Sequence, residues 1–393
     1  MPAGSRKPRA ASGGRYAGMA PDETPTLSHA RYRSHVKGAA GPSGTHNNNK
    51  GHIMKRPPLR CALSLSVLML SAVSNAQADT ADKTIALSNN YAGNSWRQSM
   101  LASWQQTGDA AVKAGVVAGV DSFTTGENQA TEQAAQIQNL ILQGYSAIVI
   151  DAASPTALNG AVRQACDAGI IVVSFDGVVT EPCAYRISMD FKASGVDQMD
   201  YIAKRFPNGA NVLEVRGLAG VSVDELIHSG IVAGAQKHPN LKIVGSVNGN
   251  WSQTAAQKAV AGVLPSLPQV DAVVTQGDDG FGTAQAFTAA GRPTPVIVFG
   301  NREEELAWWK QQKDKDGYES FSISSAPSIS SLAFWVAQQL LDGKEMPHDL
   351  LSPALSITQD KLEQSLQGLE KGGIVSQTYS VSDVAALKSP SGS

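Results

Sequence analysis

Polar and aromatic side chains follow almost every apolar strand that the sequence predicts, at the point where the strand ends. Residues 89–97 place amides, two aromatic rings and an arginine directly after the first predicted strand, and Asp151 and Asp176 each end a later one. Carboxylates and amides form paired hydrogen bonds with vicinal hydroxyl groups, and an indole face covers the apolar side of a sugar ring. The pattern therefore predicts a binding site for a small polyhydroxyl ligand.

Each of these residues also has a purely structural interpretation. Asp151 and Asp176 could cap the helices that follow them, and Trp251 could belong to a hydrophobic core. Asp278 lies beside glycines and could form a turn, whereas residues 302–305 indicate a capped, solvated start of a helix rather than a site. A binding site is favoured because the pattern recurs at successive strand ends and does not depend on one residue.

Signatures of common enzyme classes are not found in the sequence. After residue 78 the histidines are His228, His238 and His348, which are isolated, and no HExxH, CxxC or GxSxG motif occurs. Residues 217–220 lack the lysine of a phosphate-binding loop, and the aspartates near 278 lack the spacing of a calcium loop. We therefore expect no catalytic residue, no cofactor and no metal site. Hydrolysis by paired carboxylates remains an alternative.

Strands and helices alternate along the chain from residue 84 onward. The predicted strands are 84–88, 116–120, 147–150 and 170–175 in a first series and 211–215, 241–247, 272–275 and 296–299 in a second. Because continuous apolar runs are typical of parallel strands buried on both faces, the pattern predicts an α/β fold with two doubly wound parallel-sheet lobes. Ligands bind at the carboxyl ends of such strands, so the site is expected in the cleft between the lobes.

Charge is divided unevenly along the chain. Residues 1–78 hold 11 of the 32 basic residues but only 2 of the 34 acidic ones, which leaves 21 basic and 32 acidic residues in the other 315. Nucleic-acid binding needs a basic face, so the acidic body argues against a nucleic-acid partner. The asymmetry indicates a tail or a targeting segment before a folded body.

Residues 54–78 have the order and proportions of a secretory signal peptide. A basic start is followed by the apolar run 61–73, which is too short to span a bilayer, and by an A-x-A cleavage site that ends at Ala78. Residues 1–53 are expected to be disordered or untranslated, and a basic arm that binds nucleic acid or membrane is the alternative. We therefore expect a soluble protein of the periplasm that begins near Asp79.

Two cysteines remain after the predicted cleavage. Cys166 and Cys183 flank the predicted strand 170–175. An exported chain with an even number of cysteines is a candidate for a disulfide. A bridge across the corner between helix and loop is therefore favoured over two free buried thiols.

Five segments of the sequence resemble a known family in the same order. They are 84–100, 147–158, 168–177, 212–230 and 270–291, and the similarity extends over roughly residues 83–343. The chain is similar to the type I periplasmic solute-binding proteins of ABC importers, the ribose- and galactose-binding class. The resemblance implies two lobes joined by a three-crossover hinge, which close on one small ligand without catalysing a reaction.

The resemblance also implies how the chain is divided and what it binds. The N-terminal lobe would comprise residues 79–190 and about 327–358, and the C-terminal lobe residues 191–326 and about 359–380, followed by a flexible tail over 381–393. The expected partners are a sugar or polyol and an ABC permease in the inner membrane, and the protein is expected to be a monomer. A sensor that presents its ligand to a chemoreceptor or a histidine kinase is the alternative.

The predicted ligand-binding residues combine the strand-end pattern with the resemblance. They are Asn90, Tyr91, Asn94, Trp96, Arg97, Asp151, Asp176, Glu225, Trp251, Asp278, Asn301 and Ser325. Some positions depart from the sugar-binding members of the family. Gly177 stands where an arginine is common, residues 225–227 occupy a stretch of helix in which another arginine is common, and Ser325 stands where a glutamine is common. Another strand ends in Gly300 and Asn301 where an aspartate is usual. These departures predict a ligand other than ribose, such as a furanose, a branched pentose or a polyol.

Overall fold

The computed structural model describes residues 80–127 and 129–390, which begin with a parallel sheet. The first elements are β1 (Thr84–Asn89), α1 (Ser95–Lys113), β2 (Gly119–Thr124), α2 (Ala130–Gln143), β3 (Ala147–Asp151), α3 (Asn159–Asp167), β4 (Ile171–Phe175) and β5 (Tyr185–Ser188). Side chains of β1 pack on both faces of this sheet, with Ile85 and Leu87 in one hydrophobic cluster and Ala86 in another. The apolar runs therefore form strands buried on both sides, as the sequence predicts.

A second parallel sheet follows. Its elements are α4 (Phe191–Arg205), β6 (Ala210–Arg216), α5 (Ser222–Lys237), β7 (Leu241–Asn248), α6 (Gln253–Val263), β8 (Ala272–Thr275), α7 (Gly280–Ala289), β9 (Val296–Ile297), α8 (Glu303–Asp316) and β10 (Ser322–Ser325). The four strands of this sheet run parallel in the order β7-β6-β8-β9. Helices α4 and α5 cover one face, and α6, α7 and α8 cover the other.

The last elements complete both halves of the molecule. They are α9 (Ile329–Leu341), β11 (Asp349–Leu351), β12 (Ala354–Ile357), α10 (Leu362–Leu366) and α11 (Val381–Val384). Strand β11 extends the first sheet to six parallel strands in the order β11-β5-β4-β3-β1-β2, and β12 pairs antiparallel with β10. Within the described residues, no helix combines the length and the apolar character that a membrane span requires.

The two sheets with their helices form two lobes, which confirms the predicted fold class. We call the six-stranded sheet with its covering helices the N-lobe and the four-stranded sheet with its helices the C-lobe. The chain passes between the lobes after β5, after β10 and between β11 and β12. These three crossings are the predicted hinge, and the chain passes between the lobes a fourth time after α10, because Leu362 packs in the C-lobe and Val384 in the N-lobe.

The C-terminal segment returns to the N-lobe, where the sequence predicts a flexible tail over 381–393. Ile374 and Val384 are buried in the main hydrophobic cluster of the N-lobe. The backbone N–H of Leu351 also donates to the carbonyl of Lys388 at 2.7 Å. The described part of the tail is thus a packed element, which sequence reasoning missed because its short apolar positions have no helical or strand period.

One strand lies later in the chain than predicted. The second strand is predicted over residues 116–120, but β2 begins at Gly119, opposite Thr84. The preceding residues complete the turn that ends α1, since Gly115 has a φ of 69° and Val116 N–H donates to Ala111 at 2.9 Å. This turn delays the strand by three residues.

A disulfide joins Cys166 and Cys183, as the sequence predicts. Cys166 lies in α3, and Cys183 lies in the loop before β5. The bridge therefore ties the helix that precedes β4 to the loop that follows it, and both half-cystines pack against the same hydrophobic cluster of the N-lobe.

Removing this bridge is expected to destabilise the protein measurably. The cysteines are 17 residues apart, and a closed loop of that length contributes about 3 kcal/mol in the chain-entropy treatment. The variant C166A/C183A should therefore unfold at a clearly lower urea concentration than the wild type. A reducing agent should lower the wild-type midpoint and leave that of the variant unchanged; equal midpoints for the oxidised wild type and the variant would refute the contribution.

Candidate ligand-binding site

A cavity lies between the two lobes, at the carboxyl ends of both parallel sheets. Its empty volume is about 560 Å³, including the part that is open to solvent. The lining residues are Tyr91, Asn94, Trp96, Arg97, Asp176, Met189, Phe191, Ser194, Gln198, Val223, Ile227, Trp251, Gln276, Gly277, Asp278, Ile323, Ser324 and Ser325. The location agrees with the general rule that α/β proteins bind ligands where parallel strands end.

Eight of the twelve predicted residues line this cavity: Tyr91, Asn94, Trp96, Arg97, Asp176, Trp251, Asp278 and Ser325. They come from the ends of five strands, β1, β4, β7, β8 and β10, which are far apart in the sequence. The structure therefore brings together most of the residues that the strand-end pattern singled out.

Asn90 and Asp151 lie behind the cavity wall. The Nδ2 atom of Asn90 donates to the carbonyl of Ala152 at 3.1 Å, and Asn90 is only 2% exposed. Asp151 is fully buried and forms an ion pair with Arg97. Both side chains support residues of the lining instead of facing the cavity.

Glu225 and Asn301 also lie outside the lining. Glu225 is exposed on α5 and forms an ion pair with Arg216 at 3.0 Å. Asn301 is buried, and its Nδ2 atom donates to the carbonyl of Leu355 in β12 at 2.8 Å. The amide of Asn301 thus joins the C-lobe to the strand that follows the third crossing.

Arg97 is the charged centre of the N-lobe side. Asn94 caps α1 by accepting the backbone N–H of Arg97 at 2.8 Å, which sets the first turn of the helix at the cavity edge. The guanidinium group is paired with Asp151 and lies 3.9 Å from Asp176. It also lies 5.1 Å from the ring centre of Tyr91, within the range of cation–π attraction.

Asp176 joins this centre to the hinge. Its φ of 55° is in the left-handed region, which costs a non-glycine residue free energy and is typical of functional sites. Ser325, at the second crossing, donates from Oγ to Asp176 at 3.0 Å. Burial raises the pKa of Asp176, and the positive charge of Arg97 opposes that effect.

Close packing explains why glycine follows Asp176 where arginine is common. A Cβ atom at Gly177 would lie 2.8 Å from the carbonyl oxygen of Ala152 and 2.9 Å from Oδ1 of Asp151. Any larger residue would have to displace the backbone of β3 or the carboxylate that holds Arg97. The close packing of the N-lobe wall at this position therefore requires the glycine that departs from the family pattern.

Asp278 is the charged centre of the C-lobe side. It has a φ of 64°, and its carboxylate receives two contacts from Arg302, at 2.7 Å from Nε and 2.9 Å from Nη2. Arg302 is 8% exposed and Glu305 is fully buried. Helix α8 begins at 303 with a capped first turn, as the sequence predicts, but the predicted solvation of this start is wrong, because Arg302 is buried by pairing with a carboxylate 24 residues away.

Three carboxyl groups are buried together beside Arg302. Burial raises the pKa of Asp278, an effect that Arg302 opposes. Burial and the neighbouring Asp278 raise the pKa of Asp279 well above its usual range. Burial, again with Asp278, raises the pKa of Glu305 to about 7. Glu305 also accepts the backbone N–H of Gly280 at 2.7 Å, which positions the start of α7.

Trp251 forms an aromatic wall of the C-lobe side. It is 9% exposed and has a φ of 53°, and it both lines the cavity and packs in the hydrophobic cluster under α4 and α5. A Cβ atom at Gly217 would lie 2.3 Å from its ring, so only glycine fits below the indole. The core and cavity interpretations of Trp251 are therefore compatible.

Sequence reasoning missed the lining residues that come from α4 and α5. Phe191 and Gln198 lie on α4, and Val223 and Ile227 lie on α5. Phe191 follows β5, which is not among the predicted strands, and the other three lie inside helices, so the strand-end pattern does not indicate them. The signal present in the sequence is the spacing of residues 191 and 198, which places both on one face of a helix.

The arginine that lines the cavity and the arginine beside Asp278 are each paired with a carboxylate of their own lobe. Arg97 is paired with Asp151 and lies near Asp176, and Arg302, outside the lining, is paired with Asp278. Among the lining residues that the structure describes, Arg97 is the only lysine or arginine. Within the same part of the chain, no group of three or more His, Cys, Asp or Glu side chains could hold a metal ion.

Two parallel-sheet lobes, a three-crossing hinge and an interlobe cavity define a two-lobed solute-binding protein. A sequence model of the periplasmic binding protein domain family matches residues 85–345, and the chain belongs to this family. The crystal structure of an ABC transporter solute binding protein from Thermobispora bispora superposes with a TM-score of 0.71 at 35% identity, covering 78% of this chain and 94% of that one.

Two further relatives are similar in sequence. The ribose import binding protein RbsB of Salmonella typhimurium is 27% identical over 292 residues, which cover 73% of this chain and 94% of the relative. The xylitol-binding protein of Mycolicibacterium smegmatis is 26% identical over 249 residues, which cover 62% of this chain and 70% of the relative.

Proposed function

We propose that this chain is the solute-binding component of an ABC importer and captures a neutral sugar or polyol between its lobes. The observation that carries the proposal is the cavity itself, in which each lobe presents a buried carboxylate and an indole ring. The N-lobe presents Asp176 and Trp96, and the C-lobe presents Asp278 and Trp251. Carboxylates bind hydroxyl groups, and indole faces cover the C–H side of a sugar ring.

The charge balance of the cavity supports a neutral ligand. The guanidinium groups of Arg97 and Arg302 are already paired with buried carboxylates. A sugar phosphate or sugar acid would have to break one of these pairs and leave a carboxylate buried without a partner, which is costly. Relatives named for ribose and xylitol are consistent with this class of compound.

Ligand capture would proceed by closure of the hinge. Ser325 lies at the second crossing, where its Oγ donates to Asp176 and its carbonyl accepts the indole N–H of Trp96 at 2.9 Å. A ligand that contacts both lobes binds the closed arrangement better and shifts the population towards it. In this proposal β1–β5 with α1–α3, α9 and β11 move as one lobe, and α4–β10 with β12 move as the other.

The proposal includes the setting in which the protein works. The predicted signal peptide at 54–78 and the relatives' role in import support export to the periplasm and delivery of the ligand to a membrane permease. The protein would act as a monomer and release its ligand chemically unchanged. Recovery of the intact ligand after prolonged incubation distinguishes this role from that of a cleft hydrolase.

Thermal unfolding with added ligands tests the proposal. D-ribose, xylitol, D-fructose and myo-inositol form the neutral panel, and D-ribose 5-phosphate and D-gluconate form the anionic one. A neutral ligand at a hundredfold excess over its Kd should add about 2.7 kcal/mol to the free energy of unfolding, whereas the anions should add nothing.

A pair of variants assigns the effect to the cavity. Asp176→Asn should abolish most of the ligand-dependent rise, because the amide donates where the carboxylate accepts. Glu225→Gln, at an exposed position outside the lining, should keep the full rise. A rise with the anions alone would refute the neutral ligand class, and an equal rise in both variants would place binding outside this cavity.

A further inference from the structure

Helices α4 and α5 of the C-lobe give the cavity an apolar wall. Phe191 on α4 and Val223 and Ile227 on α5 belong to the same hydrophobic cluster and line the cavity. The helices pack closely, since a Cβ atom at Gly195 would lie 2.4 Å from the carbonyl oxygen of Ile227. A ligand group that binds against this wall is desolvated and contacts mostly carbon atoms.

Gln198 is the polar exception within this wall. Its side chain lines the cavity and is 2% exposed. The side-chain Oε1 atom is buried without a hydrogen-bond partner. The side-chain carboxamide makes no hydrogen bond to any residue in 80–127 or 129–390. The adjacent Ser194 differs, because its Oγ donates to the carbonyl of Phe191 at 2.7 Å.

Gln133, another buried glutamine of the described chain, has both side-chain amide atoms bonded. Gln133 is fully buried, and its Nε2 donates to the carbonyl of Asp151 at 2.9 Å. Its Oε1 accepts the backbone N–H of Ala153 at 2.8 Å. Burying an amide without partners destabilises a fold, so the retention of Gln198 in an apolar wall needs an explanation outside the stability of the C-lobe.

We propose that Gln198 is a specificity-determining residue whose carboxamide binds a hydroxyl group of the ligand. A carboxamide donates and accepts hydrogen bonds, and so does a hydroxyl, so the two groups satisfy each other. A ligand with a deoxy carbon at this position would leave the amide unpaired, and a site built this way rejects such ligands strongly. This inference rests on the proposed function, and it adds that the end of the ligand held by the α4–α5 wall carries a hydroxyl group.

The unfolding temperature of the full chain without ligand provides the first test. Gln198→Met replaces the unpaired amide by an apolar side chain of similar length and should raise the unfolding temperature by about 2–4 °C. Gln133→Met removes bonded groups and should lower it. A fall for Gln198→Met, comparable to that for Gln133→Met, would overturn the inference, because the amide would then stabilise the protein itself.

Calorimetric titration with D-ribose, xylitol, D-fructose and myo-inositol provides the second test. Gln198→Met should weaken the binding of whichever compound the wild type binds by about tenfold. Glu225→Gln should bind it as the wild type does. Equal affinity in the wild type and in Gln198→Met overturns the inference and leaves the proposed function standing. If none of the four compounds binds the wild type, the proposed ligand class fails, and the unfolding experiment still shows whether the amide lowers the stability of the protein.

Discussion

Replacing Arg97 by methionine is expected to lower the free energy of unfolding by about 3–5 kcal/mol. Arg97 is 3% exposed and is the partner of Asp151, which is fully buried, and a neighbour of Asp176. Without the guanidinium group, two buried carboxylates would remain without a cation. Each must then either stay charged in a poor environment or take up a proton, and both alternatives destabilise the folded state at neutral pH.

Urea unfolding of three variants tests this expectation. The R97M/D151N double variant lacks one of the two carboxylates that remain without a cation in Arg97→Met. Its free energy of unfolding should therefore be higher than that of Arg97→Met. Arg205→Met is the matched control, because Arg205 pairs with Glu319 at the surface, where such pairs contribute about 0–1 kcal/mol. A loss below 1 kcal/mol for Arg97→Met, or a further loss in the double variant, would show that the pairing with Asp151 is not what stabilises this region.

Raising the pH from about 5 to 8 is expected to destabilise the protein, and Glu305 is expected to account for about 3 kcal/mol of the change. The pKa of Glu305 is raised from 4.5 to about 7 by burial and by Asp278. The folded state therefore holds this proton more tightly than the unfolded state does. The corresponding stability is present below pH 4.5 and is lost as the pH rises through about 7. Asp278 and Asp279, whose pKa values are also raised, act in the same direction.

Glu305→Gln removes the titrating group and keeps an oxygen that can accept the N–H of Gly280. The free energy of unfolding of this variant should therefore depend less on pH between 5 and 8 than that of the wild type. The measurement is a set of urea unfolding curves at several pH values. Parallel pH profiles for wild type and variant would mean that Glu305 is charged throughout this range.

The fold could be predicted from the sequence because its signal is local. The continuous apolar runs at 147–150 and 170–175 carry no alternation, and such runs form strands buried on both faces. Helices separate these strands at regular intervals along the chain, and few sheet topologies are compatible with that order. Of the residues that end these strands, Asp176 lines the cavity, and Asp151 lies behind the wall, where it pairs with Arg97.

The rest of the site could not be predicted because it depends on contacts between distant segments. Arg302 is followed by three glutamates and has the local character of a solvated helix start, yet its pairing with Asp278 buries it. Glu225 has the position of a cavity residue along the chain, but the rotation of α5 places it beside Arg216. Helix α4 begins at Phe191, capped by Asp190, so Gln198 falls on the cavity face of a helix and not after a strand.

The central claim is that one ligand bridges the two lobes inside the cavity, and a crystal structure of the complex tests it most directly. Crystals would be grown with the neutral compound that raises the unfolding temperature most. Ligand density is expected between Asp176 and Asp278, with a ring or carbon chain against Trp251 and hydroxyl groups within hydrogen-bond distance of both carboxylates. Density for the compound at any other place, with none between the lobes, would contradict it.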